Sequence, residues 1–154
     1  MSFEEQIRFL AGRVNTLKEV VHTEEATKTS LVMPFFQVLG YDIFNPNEFT
    51  PEFTADVGIK KGEKVDYAIL SNSEPVILIE CKSVNGVLEK HDSQLFRYFG
   101  TTTAKFAILT NGINYRFYTD LDIPNKMDNQ PFLEINILNL KNNHIAPTRS
   151  EERR

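Results

Sequence analysis

The sequence predicts an α/β fold in which helices flank a mixed central β-sheet. Two amphipathic helical segments open the chain, and short runs rich in β-branched and aliphatic residues follow them. A third helical segment then separates these runs into two groups. A helix between strands predicts a crossover that brings two strands together in parallel. The expected architecture is therefore an α/β sandwich.

The helices are predicted from apolar spacing and end signals. Apolar residues recur at steps of three and four over residues 3–21, and Thr23 then offers an N-cap for a second helix that ends before Gly40. Pro34 lies inside this second helix and predicts a bend. Leu88, Leu95 and Phe99 indicate a third helix that ends near residue 100.

The strands are predicted as short apolar runs bounded by turn residues. They cover residues 49–57, 65–70, 76–82, 105–110, 115–118 and 132–138. Asn111-Gly112 is a strong hairpin signal between the fourth and fifth strands. We therefore expect one domain over residues 1–140 and a polar, flexible tail over residues 141–154.

Composition narrows the class of protein. The chain has 154 residues, 41% of them hydrophobic and 25% charged, as in ordinary globular domains. No apolar run reaches the length of a membrane span, and the single cysteine, Cys81, excludes an internal disulfide. These features predict a cytoplasmic protein without a membrane partner. A net charge of −4 argues against a protein that coats DNA nonspecifically.

Two acids on neighbouring strands are the most informative feature. If the connection between the second and third strands is centred on Ser73, Asp66 lies directly opposite Glu80. Opposed carboxylates destabilise an antiparallel pair, whereas a divalent cation between them makes a site. Lys82 points to the same face as Glu80. Two acids and a lysine at one strand end are typical of nucleases, although a slip of one residue would separate the acids.

Further motifs form an ordered series along the chain. They are Glu24-Glu25-Ala26-Thr27-Lys28, Val65-Asp66-Tyr67-Ala68, Ile79-Glu80-Cys81-Lys82, Gln94-Leu95-Phe96-Arg97-Tyr98 and Ile108-Leu109-Thr110-Asn111-Gly112. This series resembles the PD-(D/E)XK nuclease superfamily, and more closely the N-terminal nuclease domain of the restriction (R) subunit of type I restriction enzymes. The fourth motif is similar to the Q-x-x-x-Y signature of RecB-like nucleases. The resemblance implies a restriction-endonuclease-like α/β sandwich.

The resemblance also implies magnesium-dependent hydrolysis of DNA phosphodiester bonds, with manganese as a substitute. Asp66 and Glu80 would be direct metal ligands, and the backbone carbonyl of Cys81 would complete the protein's share. Glu25 would add a carboxylate, directly or through water, and Glu24 competes with it for this role. The alternative for each acid is a solvated strand end, an ion pair or a helix-dipole contact.

Other residues receive supporting roles from the same resemblance. Lys82 would orient the attacking water and stabilise charge on the phosphate, and Gln94 would form hydrogen bonds near the metal or substrate. Tyr98 would lie over the same edge of the site, with a supporting or core role as its alternative. A basic turn is formed by Lys60, Lys61 and Lys64. It would touch DNA phosphates or simply be solvated.

A second function stays open at this point. The same fold would also serve as a noncatalytic module that binds DNA or partner subunits and cleaves only within a larger complex. Restriction-modification subunits and a second copy of the chain are the candidate protein partners.

Overall fold

Six strands form one mixed sheet in the computed structural model, which describes residues 1–54, 64–88 and 92–140. In sheet order they are β1 (Phe49–Phe53), β2 (Val65–Ser71), β3 (Glu74–Cys81), β4 (Phe106–Thr110), β5 (Asn114–Tyr118) and β6 (Leu133–Asn136). Strands β3 and β4 pair in parallel, and the other neighbours pair antiparallel. The predicted parallel crossover is confirmed.

Helices cover both faces of this sheet. The first face packs against α1 (Phe3–Leu17) and a continuous helical run made of α2 (Glu24–Thr27), a π-helical turn (Lys28–Val32) and α3 (Met33–Val38). The second face packs against α4 (Ser93–Thr101). Alternate residues of the central strands enter the two cores, because successive side chains of a strand point to opposite faces. The predicted α/β sandwich is confirmed.

Helix α1 is shorter than predicted. The carbonyl of Leu17 accepts hydrogen bonds from both Val20 and Val21, which closes the helix in a tight turn. Val21 is buried but lies outside the helix. Thr23 caps the next helix as predicted, since its side chain accepts from the amide of Ala26.

A π-helical turn takes the place of a simple bend before Pro34. The amide of Met33 donates to the carbonyl of Lys28, five residues back, instead of the usual four. Pro34 has no amide hydrogen and its ring crowds the preceding turn, so a wider turn accommodates it. This widened turn contains Lys28, a buried lysine.

Helix α4 begins later than predicted. Asp92 is its N-cap, because its Oδ1 accepts from the amide of Leu95 at 2.8 Å. Leu88 is buried but precedes the helix. The prediction that Leu88 belongs to the helix is wrong because the cap at Asp92 fixes the start.

The β2–β3 hairpin has the predicted register over its centre. Tyr67 pairs with Ile79 and Ile69 with Ile77, which corresponds to a turn centred on Ser73. The register shifts by one residue between Ile69 and Leu70, so that Asn72 and Ser73 alone form the turn, both with positive φ. An irregularity near the turn absorbs one extra residue and leaves the register of the far end unchanged.

The turn at Asn111-Gly112 forms as predicted between β4 and β5. The Oδ1 of Asn111 accepts from the amides of Ile113 and Asn114, at 3.0 and 2.8 Å. Gly112 has φ +85°, and a Cβ there would lie 2.9 Å from a methyl carbon of Leu31. The turn therefore packs directly on the π-helical turn, which holds Lys28 against the sheet.

Some expectations fall on residues outside the described ranges. They concern the end of the first predicted strand beyond residue 54, the tail over residues 141–154, and Lys60 and Lys61. Within the described ranges, the helices are all too short or too polar to cross a membrane.

Candidate active site

The candidate site lies where β2 and β3 part. Pairing between these strands ends at Tyr67 and Ile79. Beyond that point β2 continues beside β1 to Val65, and β3 continues beside β4 to Cys81. A fork therefore opens in the sheet at Asp66 and Glu80, the first two positions past the last pair.

Carboxylates replace the missing backbone pairing at this fork. The amide of Asp66 donates to Oε1 of Glu80 at 3.3 Å, and the amide of Cys81 donates to Oδ2 of Asp66 at 2.7 Å. The structure thus brings Asp66 and Glu80 together. They meet through side chains and not as a directly opposed ladder pair, which is where the geometry departs from the prediction.

Glu80 is an acid in an unfavourable environment. Its side chain is nearly enclosed, with 7% of the residue exposed. Burial, followed by the negative charges of Asp66 and Asp92, raises the pKa of Glu80 to about 8, against the opposing effect of Lys82. In the protein alone, the fork cannot easily hold all its carboxylates ionised at neutral pH. A cation at the fork would relieve this penalty.

Lys82 lies between two acids. Its Nζ is 3.8 Å from Oε2 of Glu80 and 3.4 Å from Oδ2 of Asp92. Burial alone would lower the pKa of Lys82, but the charges of Asp92 and then Glu80 outweigh it and raise the pKa above its usual value. Lys82 therefore stays protonated at neutral pH, which suits stabilisation of negative charge and not general-base catalysis.

Asp92 is a site residue that the sequence reasoning missed. It caps α4 through one oxygen and holds Lys82 through the other. The signal was present, since an aspartate that directly precedes an apolar-periodic segment is a typical N-cap. Placing the start of the helix near Leu88 concealed it.

Lys28 is the second residue that sequence reasoning did not single out. Its Nζ lies 3.3 Å from Oδ1 of Asp66 and 2.6 Å from Oε1 of Glu25, and only 10% of its side chain is exposed. Burial would lower the pKa of Lys28, yet the hydrogen bond to Glu25 and the charge of Asp66 outweigh it and raise the pKa. A lysine in line with the apolar residues Leu31 and Phe35 was the available signal.

The two acids at the start of α2 take different positions. The side chain of Glu25 is 81% exposed and pairs with Lys28, so its link to Asp66 runs through the lysine. Burial lowers the pKa of Lys82, while the charges of Asp92 and Glu80 raise it, with a smaller contribution from Glu24. Both acids at the start of α2 therefore act on the fork electrostatically.

The residues of α4 do not point into the fork as expected. The side-chain amide of Gln94 donates to the backbone carbonyl of Lys64, just before β2 begins. Tyr98 is fully buried in the core beneath α4. This position corresponds to the core role that the sequence left open for Tyr98, and a side chain without exposed surface cannot contact nucleic acid.

The predicted basic turn is described only at Lys64. Its Nζ pairs with Oε1 of Glu52 at 2.9 Å, and both side chains are largely exposed. This position is compatible with the solvated alternative and with a contact to a phosphate, since an exposed ion pair is weak.

The fork has the donor types that magnesium prefers. Among the described residues, no group of three or more His, Cys, Asp or Glu side chains is placed to hold a metal ion. The carboxylates that could hold a cation at the fork are those of Asp66 and Glu80, with the backbone at Cys81 beside them. Magnesium commonly binds through one or two carboxylates and keeps several waters, so this donor set fits it.

The part of the chain that contains the fork matches a known protein family. Residues 54–126 match the family described as type I restriction enzyme R protein N terminus. Comparison with curated proteins and with solved structures gave no match. The resemblance to the N-terminal region of the type I restriction R subunit is confirmed over this span.

The R-protein match covers just under half of the chain and includes the whole fork. Asp66, Glu80, Lys82 and Asp92 all lie inside it, as does Gln94. Helix α1 and the helical run that carries Glu25 and Lys28 lie before it. The contact between Lys28 and Asp66 therefore joins the matched region to the preceding helices.

Proposed function

We propose that this chain is a magnesium-dependent DNA endonuclease domain of the type I restriction R-subunit kind. The observation that carries the proposal is the fork itself, where Asp66, Glu80 and Lys82 meet at the end of the sheet. The match to the R protein N terminus supports the restriction-system assignment. Hydrolysis of a phosphodiester is the chemistry that two carboxylates and a lysine at one cleft suit best.

The residues of the fork would have different roles in the reaction. Asp66 and Glu80, with the Cys81 carbonyl, would hold the magnesium, with manganese as a substitute. When bound, the cation supplies an activated water and neutralises charge on the phosphate. Lys82 is held by Asp92 and Glu80, so its ammonium is fixed where negative charge develops in the transition state.

Supporting roles follow from the positions of the other residues. Gln94 fixes the backbone at the entrance to β2 and thereby positions Asp66. Glu25 acts on Asp66 through Lys28, and Glu24 adds negative charge near Lys82. Both acids would then influence cation binding without being direct ligands.

Most of the affinity for DNA is expected to come from partner subunits or a second copy of the chain. The three described lysines around the fork, Lys28, Lys64 and Lys82, are each paired with an acid, and the chain carries a net charge of −4. We therefore propose that restriction-modification subunits or a second copy of the chain help to hold the DNA. Binding of the isolated chain should be weak and should fall steeply with added salt.

Plasmid cleavage tests the proposed activity. Supercoiled plasmid is incubated at low salt with magnesium or manganese and with the wild type, Asp66→Ala or Glu74→Gln. Glu74 is a matched acid at the opposite end of β3 from Glu80. We expect cleavage by the wild type and Glu74→Gln and none by Asp66→Ala, because Asp66 is a proposed ligand and Glu74 is not. Equal cleavage by all three would assign the activity to a contaminant and overturn the proposal.

A noncatalytic module within a larger complex is the second candidate, and the paired lysines favour it because they leave the contacts with DNA to other subunits. It predicts retention of DNA in a larger complex without any cleavage that depends on Asp66 or Lys82. In a reconstituted restriction complex, Lys82→Ala would then leave cleavage unchanged. Loss of cleavage with retained assembly would instead support the nuclease.

A further inference from the structure

Lys28 is a buried cation that already occupies one side of the proposed metal ligand Asp66. Its ammonium lies 3.3 Å from Oδ1 of Asp66, while Oδ2 accepts from the amide of Cys81. The ring of Tyr67 lies below, with its centroid 6.0 Å from Nζ. Asp66 therefore meets a positive charge before any other cation arrives.

The second partner of Lys28 faces solvent. Oε1 of Glu25 lies 2.6 Å from Nζ, closer than Oδ1 of Asp66, and the Glu25 side chain is 81% exposed. The lysine thus touches one acid inside the fork and one at its rim. Its long, flexible side chain can shift toward Glu25 without leaving a charge unpaired.

We propose that Lys28 is a resident counter-ion that holds Asp66 in the metal-free protein and yields it to the divalent cation, while keeping its contact with Glu25. This inference rests on the proposed metal site. It makes Lys28 a positioning residue, because it acts through Asp66 and touches neither the cation nor the DNA.

We expect removal of Lys28 to change cation affinity in an unusual direction. A buried lysine at a binding site usually helps to hold the ligand, so its removal would weaken ligand binding. Here its positive charge repels a divalent cation at a few ångströms, and its removal should strengthen cation binding. The same removal leaves the carboxylate of Asp66 without its buried partner and should destabilise the metal-free fold.

Calorimetric titration with manganese measures the first effect. We expect Lys28→Met to bind manganese at least about tenfold more tightly than the wild type at one fixed pH. Lys28→Arg keeps the charge and should stay close to the wild type. Lys105→Met removes an exposed lysine at the far end of β4 and controls for net charge. Lys28→Gln keeps a hydrogen-bond donor and provides a second neutral variant if Lys28→Met folds poorly.

Urea unfolding in the presence of a chelator measures the second effect. Lys28→Met should lower the unfolding midpoint, and addition of Asp66→Asn should restore most of the loss, since the two side chains interact in the metal-free state. Independent, additive effects of the two substitutions would overturn the counter-ion role. This measurement does not depend on metal binding.

The outcomes separate this inference from the proposed function. If the wild type binds manganese and Asp66→Ala does not, the metal site stands. Equal or weaker binding by both neutral Lys28 variants would then overturn the counter-ion role alone. If neither the wild type nor any Lys28 variant binds manganese through Asp66, the metal site fails and the inference falls with it.

Discussion

The two ends of the β2–β3 hairpin satisfy their backbones in opposite ways. At the turn end, pairing continues to Ser71 and Glu74, and Asn72 and Ser73 close the chain with positive φ. At the fork end, pairing stops at Tyr67 and Ile79, and carboxylates accept the next amides. The turn end is organised for folding alone, whereas the fork end keeps acids together at a cost in stability.

The proposed cation would act at the fork end. Only the fork end collects buried charges of both signs, and only there does an acid, Glu80, have a strongly raised pKa. Substitutions at the turn end should change stability and leave the proposed chemistry intact. Substitutions at the fork end should change the proposed chemistry, with or without a change in stability.

Lys82→Ala should give the largest effect and separate chemistry from cation binding. Because Lys82 would stabilise charge in the transition state, we expect cleavage to fall by at least about a hundredfold. Manganese affinity should not fall, since the ammonium is not a ligand and its removal takes away a positive charge that lies 3.8 Å from Glu80. Plasmid cleavage and calorimetry measure the two quantities. Lys105→Ala, at the far end of β4, is the control and should alter neither. Loss of cation affinity in Lys82→Ala would instead show that the residue holds the fork together.

Glu80→Gln should change the pH dependence of stability in the metal-free protein. The folded-state pKa of about 8 lies above the ordinary value of 4.5, so folding at neutral pH takes up a proton. The contribution of Glu80 to stability is therefore present at low pH and is lost as the pH rises through about 8. We expect Glu80→Gln to gain a few kcal/mol relative to the wild type between about pH 5 and 8.

Urea unfolding with a chelator across this pH range measures the gain. Glu74→Gln, on the same strand at the turn end, should show no such change with pH, because Glu74 is exposed. A parallel pH dependence in Glu80→Gln and wild type would mean that Glu80 is not buried against like charge.

Asp92 allows its two roles to be separated. Asp92→Ala removes the cap of α4 and should lower the free energy of unfolding by about 1 kcal/mol. Asp92→Asn keeps a good cap but removes the charge beside Lys82, so stability should change little while cleavage falls. Plasmid cleavage that is unchanged in Asp92→Asn would reduce Asp92 to a cap.

Ser73→Gly should give the smallest effect, at the turn end. Ser73 has φ 65°, a conformation that glycine adopts without steric penalty. Glycine also adds conformational entropy to the unfolded chain, which offsets part of this benefit. We therefore expect a net gain of about 0.5 kcal/mol in the free energy of unfolding. Cation affinity and cleavage should not change. Calorimetric unfolding and titration of the same sample test both expectations, and a change in cation affinity would show that the two ends are coupled.

The fork could be predicted from the sequence because local rules determine it. Strand periodicity places side chains on alternate faces, and the turn around Ser73 sets the hairpin register. Those two rules bring Asp66 beside Glu80. They do not say that pairing stops at Tyr67, because the separation of β2 from β3 depends on the pairing of these strands with β1 and β4.

Other parts of the site depend on long-range packing and were missed. Lys28 reaches Asp66 across 38 positions of sequence, and helix periodicity cannot tell which strand end its turn will meet. Tyr98 illustrates the same limit, because spacing puts it one turn from Gln94 and left open whether its ring lies over the site or enters the core. Asp92 was recoverable, since its capping role is local.

Manganese titration of the wild type, Asp66→Ala and Glu74→Gln tests whether a cation binds at the fork. We expect one set of cation sites in the wild type and Glu74→Gln, with thermal stabilisation on addition of manganese. Asp66→Ala should show neither binding nor stabilisation. Manganese binding that persists unchanged in Asp66→Ala would place the cation away from the fork and contradict the account.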